Sequence, residues 1–310
     1  MSSEAKLLLL IGQTIIALLT IFFGCILLLM LRKYTPAPMR PCGNYLLNFV
    51  WWSMVYVFVI IIAQPIAIVY PDGFCWEANL LGALLPQVVA RILMILMVAI
   101  AVQNSVAICL SFIHRYLQLK ACMNVEGVSK TSASYLSKIG VLLHFILLAF
   151  MCFMTHEAYE EVEEYPNLFC YNVRSTFFTI FLIIVILLDA VVSTCCLFLC
   201  FRTMQALDLA KKAAPACFAF QRMLTVSIIV SSALPITLGT IPSAIAFAVL
   251  KINPVLVQGL VPYSSFIASL ISLQMFVLYL VTLKPYREKL CMFLGFGKNN
   301  TVSVSIVSKL

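Results

Sequence analysis

Seven long apolar stretches divide the chain, over residues 7–31, 44–70, 86–113, 139–154, 175–201, 223–250 and 259–283. A helix needs about 20 apolar residues to cross a hydrocarbon core about 30 Å thick. In lipid such a segment must satisfy its own backbone, which favours helices over open sheets. The pattern predicts an all-α membrane protein, a seven-transmembrane helix bundle that forms one domain over 1–310. An odd number of spans puts the two termini on opposite faces. Residues 284–310 then form a tail.

Of the 310 residues, 63% are hydrophobic and 10% charged, whereas soluble domains carry about 25% charged residues. No loop exceeds about 25 residues, too short for a separate domain. The net charge of +8 could suggest a nucleic-acid partner, but its distribution points to a bilayer. Sixteen of the twenty basic residues fall in the first, third and fifth loops and the tail, among them Arg115, Lys211, Lys212, Arg222, Arg287 and Lys289. Only Lys6, Arg174 and Lys251 fall on the other face, and Arg91 lies within a span. Lys and Arg mark the cytoplasmic side, so the expected arrangement has the N-terminus outside and the tail cytoplasmic. Acidic residues, such as Glu77, Glu157 and Glu160, lean outward, a field that mildly favours cationic ligands. The first apolar run is longer than the core of a signal peptide and lacks a basic leader, so it reads as a retained anchor.

The twelve cysteines look like a disulfide framework until placed on this topology. Cys25, Cys109, Cys152, Cys195, Cys196 and Cys200 lie within spans. Cys42, Cys122, Cys217 and Cys291 face the reducing side. Cys75 and Cys170 alone fall in outer loops, which predicts one disulfide between them.

Several breaks punctuate the spans. A third helix that starts at Pro86, a residue suited to a first turn, leaves Arg91 near the outer edge and able to snorkel; a start near Leu80 puts Arg91 well inside, in need of a partner. The fifth helix is expected to continue through 202–212 to a stop at Pro215. Pro235, Gly239 and Pro242 predict a bend in the sixth. After Lys284-Pro285-Tyr286-Arg287, residues 288–296 form a short basic-amphipathic piece suited to the inner leaflet, where Cys291 is a lipidation candidate. The final Ser308-Lys309-Leu310 matches a peroxisomal address and Asn299-Asn300-Thr301 a glycosylation acceptor, both out of context in this topology.

His114, His144 and His156 lie at different depths and define no common metal site, so neither a metal nor a cofactor is implied and enzymatic activity is not expected. An ionisable residue inside a membrane is a functional candidate by default, and two qualify, Arg91 and Asp189. Gln103 and Asn104 on the third span and Tyr263 before the seventh complete a candidate ligand-binding set. For Asp189 a bond to helix backbone, and for the amides a role as glue between helices, are the structural alternatives.

Thr35-Pro36 with Met39, then Asn44-Tyr45-Leu46-Leu47-Asn48 and Trp52-Ser53, resemble the first-loop and second-helix signature of nematode serpentine chemoreceptors of class H, with class I as the sister alternative. Phe220-Gln221-Arg222-Met223 looks like that family's start of the sixth helix, and Pro285-Tyr286-Arg287 like its motif closing the seventh. The chain departs from the pattern at Tyr56-Val57, where an acidic residue is usual. It departs again at His114, where Asn is usual before Arg-Tyr, and before Leu270 or Ile271, where a His-Gly pair would stand.

The resemblance implies a G-protein-coupled receptor for an environmental small molecule, in the plasma or ciliary membrane of sensory neurons, with a heterotrimeric G protein as partner. Arg115 and Tyr116 would then gate the cytoplasmic surface, with Lys211, Lys212 and Arg222 along it. The rival readings are a seven-helix ligand-gated channel or transporter, and a non-signalling membrane scaffold.

Overall fold

The computed structural model describes residues 3–35, 40–69, 73–122, 130–157, 168–172, 174–213, 222–223, 225–227, 229–230, 233, 235–240, 242, 245–246, 248–249, 253, 256, 259 and 261–293. Five long helices come first: α1 (Ser3–Lys33), α2 (Arg40–Ala63), α3 (Gln87–Cys122), α4 (Lys130–Glu157) and α5 (Thr176–Ala213). The sixth span is described in helical pieces, among them a π-helical turn at Pro235–Thr240. The seventh span is α6 (Ser264–Thr282), and the tail begins with α7 (Lys284–Phe293). Among the described residues, five helical stretches are long and apolar enough to cross a membrane: Ser3–Lys33, Leu46–Ala63, Gln87–Leu117, Thr176–Asp208 and Val261–Thr282. Phe145–Glu157 is a shorter apolar helix.

The bundle is built around α3, which packs on α2, α4 and α5, while α1 lies between α2 and α6. Burial on α1 repeats at helical spacing through Gln13, Ala17, Thr20, Gly24, Leu27 and Leu31, whereas Leu8, Ile15, Phe22 and Leu29 stay exposed to the bilayer side. Lipid tails are as apolar as leucine, so these helices are held by close packing rather than by escape from water. Gly24 shows how close. A Cβ there would overlap Met54 Sδ on α2 and stand 2.9 Å from Phe276 Cε2 on α6.

The second span ends earlier than its apolar run suggests. The expected stretch reached residue 70, but α2 stops at Ala63, Gln64 takes a positive φ of 41°, and Pro65 follows without an N–H. Ile66–Val69 is instead strand β1. It pairs antiparallel with β2 (Gly73–Glu77), which pairs antiparallel with β3 (Leu168–Asn172). This three-stranded sheet modifies the all-helical expectation. In register, Cys75 stands opposite Cys170, and the two form a disulfide, as the cysteine placement predicts. A 3₁₀ turn at Gly82–Leu84 then leads to α3. Gly82 is needed there because a Cβ would collide with the Ala63 carbonyl, a backbone group that cannot step aside. α3 begins one residue after Pro86, whose carbonyl receives the Val89 and Ala90 amides.

Among the described residues, three larger apolar clusters fill the bundle. Tyr171, Phe74 and Val69 of the sheet join Phe178, Phe181 and Met154 at one end. Ala17, Ile60, Met94 and Ile100 occupy the α1–α2–α3 junction. Leu27, Phe49, Phe112, Phe276 and Tyr286 fill the other end.

Candidate functional site

At the sheet-distal end, α3 carries Ser111-Phe112-Ile113-His114-Arg115-Tyr116. The spacing turns Phe112 and Arg115 inward, and Arg115 is 1% exposed, an unusual burial for a guanidinium. Its Nε donates to Thr225 Oγ1 at 3.4 Å, and Thr225 is equally buried on the sixth span. α3 and the sixth span are thereby tied at their ends. Tyr116 points elsewhere: it packs with Leu119, Ala206 and Leu207, against α5, and takes the Lys120 ammonium 5.0 Å from its ring centroid. Arg222 is exposed one turn before Thr225. Lys211 and Lys212 belong to the last turn of α5, and their side chains lie outside the described residues. Beside this surface, α7 is anchored by Tyr286, which is wholly buried. The Thr35 hydroxyl donates to the Leu31 carbonyl at 2.5 Å, so the Tyr286 hydroxyl supplies the proton of their 2.9 Å bond. Cys291 is exposed on α7, with Met292 and Phe293 beside it.

The ligand-binding set predicted from sequence separates into two levels. Arg91 sits one turn into α3, with Nη2 3.3 Å from His156 Nδ1 at the end of α4. Tyr263 closes the 3₁₀ turn before α6 and is exposed. Gln103, Asn104 and Asp189 lie much deeper, since 13 residues of helix separate Arg91 from Asn104, roughly 20 Å at ~1.5 Å per residue. Asn104 Oδ1 accepts from Ser53 Oγ on α2 at 3.3 Å. Asp189 on α5 interacts with Ser105 on α3. Gln103 is fully buried. The deep polar belt thus runs from α2 through α3 to α5. Toward the sheet it is roofed by aromatic side chains: Tyr171 stacks on Phe178 at 5.5 Å between centroids and on Phe181 at 6.4 Å. Ser105 and Thr225 were not singled out from sequence. Ser105 had a signal, as the third of three successive polar residues in an apolar helix; Thr225 had none.

The helical bundle thus carries an arginine near one end of its third helix and a disulfide across its sheet. The model of the family described as "Serpentine type 7TM GPCR chemoreceptor Str" matches residues 10–168. The chain belongs to this family, and it is a multi-pass membrane protein. The match is to Str, and class H specifically is not shown. Among solved structures, the crystal structure of squid rhodopsin is similar over 96% of this chain and 87% of that one, with a TM-score of 0.69 at 12% identity. That likeness concerns the fold alone. No curated protein matches the chain.

Proposed function

We propose that the protein is a chemosensory receptor for an environmental small molecule, an olfactory type of function, which couples to a heterotrimeric G protein. The N-terminus is outside and the tail is cytoplasmic, in the plasma or ciliary membrane of a sensory neuron. The basic residues collected around Arg115 support this orientation, because they would face the cytoplasm. Within the nematode serpentine chemoreceptors the reading follows the Str family, and the class H motifs bear on it as a resemblance only.

The observation that carries the proposal is the buried bond from Arg115 to Thr225. In the closed bundle it holds the sixth span against α3. A ligand that binds the open arrangement better than the closed one shifts the population toward release of this tie. Arg115, Tyr116, Lys211, Lys212 and Arg222 then become the G-protein surface. The π turn at Pro235–Thr240 supplies a joint in the same span, since proline and a widened turn weaken the helical ladder there. Arg91, Gln103, Asn104, Asp189 and Tyr263 are assigned to ligand recognition, with the first and last at the outer edge. Cys291, exposed on α7, is assigned as a palmitoylation site at the inner leaflet.

The test is nucleotide exchange by purified heterotrimeric G proteins on the receptor in nanodiscs, wild type against Arg115→Ala. Exchange catalysed by the wild type and lost in the variant supports the receptor mechanism. Ligand-evoked current in the absence of G protein would favour a channel instead.

A further inference from the structure

Asp189 is placed where an acidic side chain is least comfortable, near the middle of α5. Its partner among the described residues is the Ser105 hydroxyl, and no basic side chain there forms an ion pair with it. A carboxylate offers about four acceptor positions, and one hydroxyl fills one of them. Arg91, the basic residue within the third span, is engaged with His156 far toward the outer edge.

The side chains of α5 around Asp189 are also less completely buried than several above and below it. Along the face of α5 that meets α3, Phe178, Phe181 and Leu182 are buried, and so are Cys196, Thr203 and Leu207. Between them Val185, Leu188, Asp189 and Val192 are only half-buried. On α3 the facing residue Ser105 is likewise half-buried, while Gln103 and Ala107 are buried. The carboxyl therefore lies at a level of the α3–α5 seam where side chains keep some accessible surface. Immediately toward the sheet the walls are apolar or aromatic, through Leu188, Val185, Phe181 and Phe178 up to Tyr171. Aromatic faces favour cations as well as apolar groups.

From these observations we propose that the α3–α5 seam binds an amphiphilic amine. Its ammonium pairs with Asp189 beside Ser105, and its apolar body lies toward the Phe178–Phe181–Tyr171 cluster. This rests on the receptor reading for its biological meaning, though not for the binding itself. An anionic ligand is disfavoured by the carboxylate. A neutral alcohol can donate one hydrogen bond but gains no charge pairing.

The experiment uses three probes with one skeleton: 2-phenylethylamine, 2-phenylethanol and phenylacetate, titrated onto the full chain in nanodiscs. The amine is expected to bind at least about tenfold more tightly than the alcohol, with phenylacetate inert. Asp189→Asn should bring the amine down to the alcohol's affinity, and Asp189→Glu should keep the amine preference. Equal affinity for amine and alcohol, or an amine preference that survives in Asp189→Asn, overturns the proposal. If Asp189→Asn does not fold, infrared difference spectra of the wild type decide. Amine binding has to perturb a carboxyl band, and an unchanged carboxyl region overturns the proposal. Nucleotide exchange is read separately. Amine binding that never stimulates exchange supports the site and counts against the receptor mechanism. Exchange driven equally by the alcohol, and untouched by Asp189→Asn, supports the receptor and overturns the amine site.

Discussion

Arg115 Nε lies 3.4 Å from Thr225 Oγ1, with both side chains buried at the ends of α3 and the sixth span. At this length the bond contributes on the order of 1 kcal/mol, below the usual value for a hydrogen bond to a charged group. Thr225→Val keeps the shape and removes the acceptor. Its closed bundle should lose stability by that order, seen as a lower melting temperature in nanodiscs, and Thr225→Ser should restore most of it. Equal melting of wild type and Thr225→Val would show that the bond does not hold the two elements.

The tail helix makes a second prediction. Tyr286 is fully buried and bonds Thr35 at the end of α1. Tyr286→Phe removes the hydroxyl and should cost about 1 kcal/mol. Tyr286→Ala also removes the ring and should cost about 3–5 kcal/mol. Thermal unfolding of the two variants separates hydrogen bond from packing. If both melt together, the ring is not the anchor.

The disulfide makes a third. Cys75 and Cys170 join β2 to β3 across 95 residues of sequence, and removing such a cross-link typically costs about 2–4 kcal/mol. The wild type should melt lower in reductant, while a Cys75→Ser, Cys170→Ser protein should melt low with or without it. A wild type indifferent to reductant would mean that the sheet holds itself together.

Close approach of α1, α2 and α6 at Gly24 makes a fourth. Gly24→Ala forces Met54 aside, and overpacking of this kind costs about 1–3 kcal/mol. Met54→Ala should relieve part of the cost in a double variant, because the worst overlap is with that flexible thioether. Additive losses would point to Phe276 as the obstacle instead.

What could be read in advance follows from the range of the interactions concerned. Span number and the disulfide are properties of runs and of sidedness, both present in the chain itself, whereas the burial of Arg115 is not. The end of α2 was misread because hydropathy continues through Ile66–Val69 while the backbone changes at Gln64 and Pro65. The sheet was missed because its three strands are four or five residues long, and two of them pair with a segment far away in sequence. Thr225 and Ser105 matter through partners on other helices, and no single helix reveals which of its hydroxyls meets an arginine or a carboxyl. Gln64 Nε2, just past α2, likewise finds its partner on another helix, donating to Thr14 Oγ1 on α1 at 3.0 Å.

The central claim is that a receptor is held closed between α3 and the sixth span. The most direct test is ligand-free nucleotide exchange on heterotrimeric G proteins, with wild type, Thr225→Val and Arg115→Ala compared at equal receptor density. Loss of about 1.4 kcal/mol from the closed state raises the open population about tenfold. The account predicts several-fold faster exchange for Thr225→Val and none above background for Arg115→Ala. Exchange identical in all three proteins would contradict it.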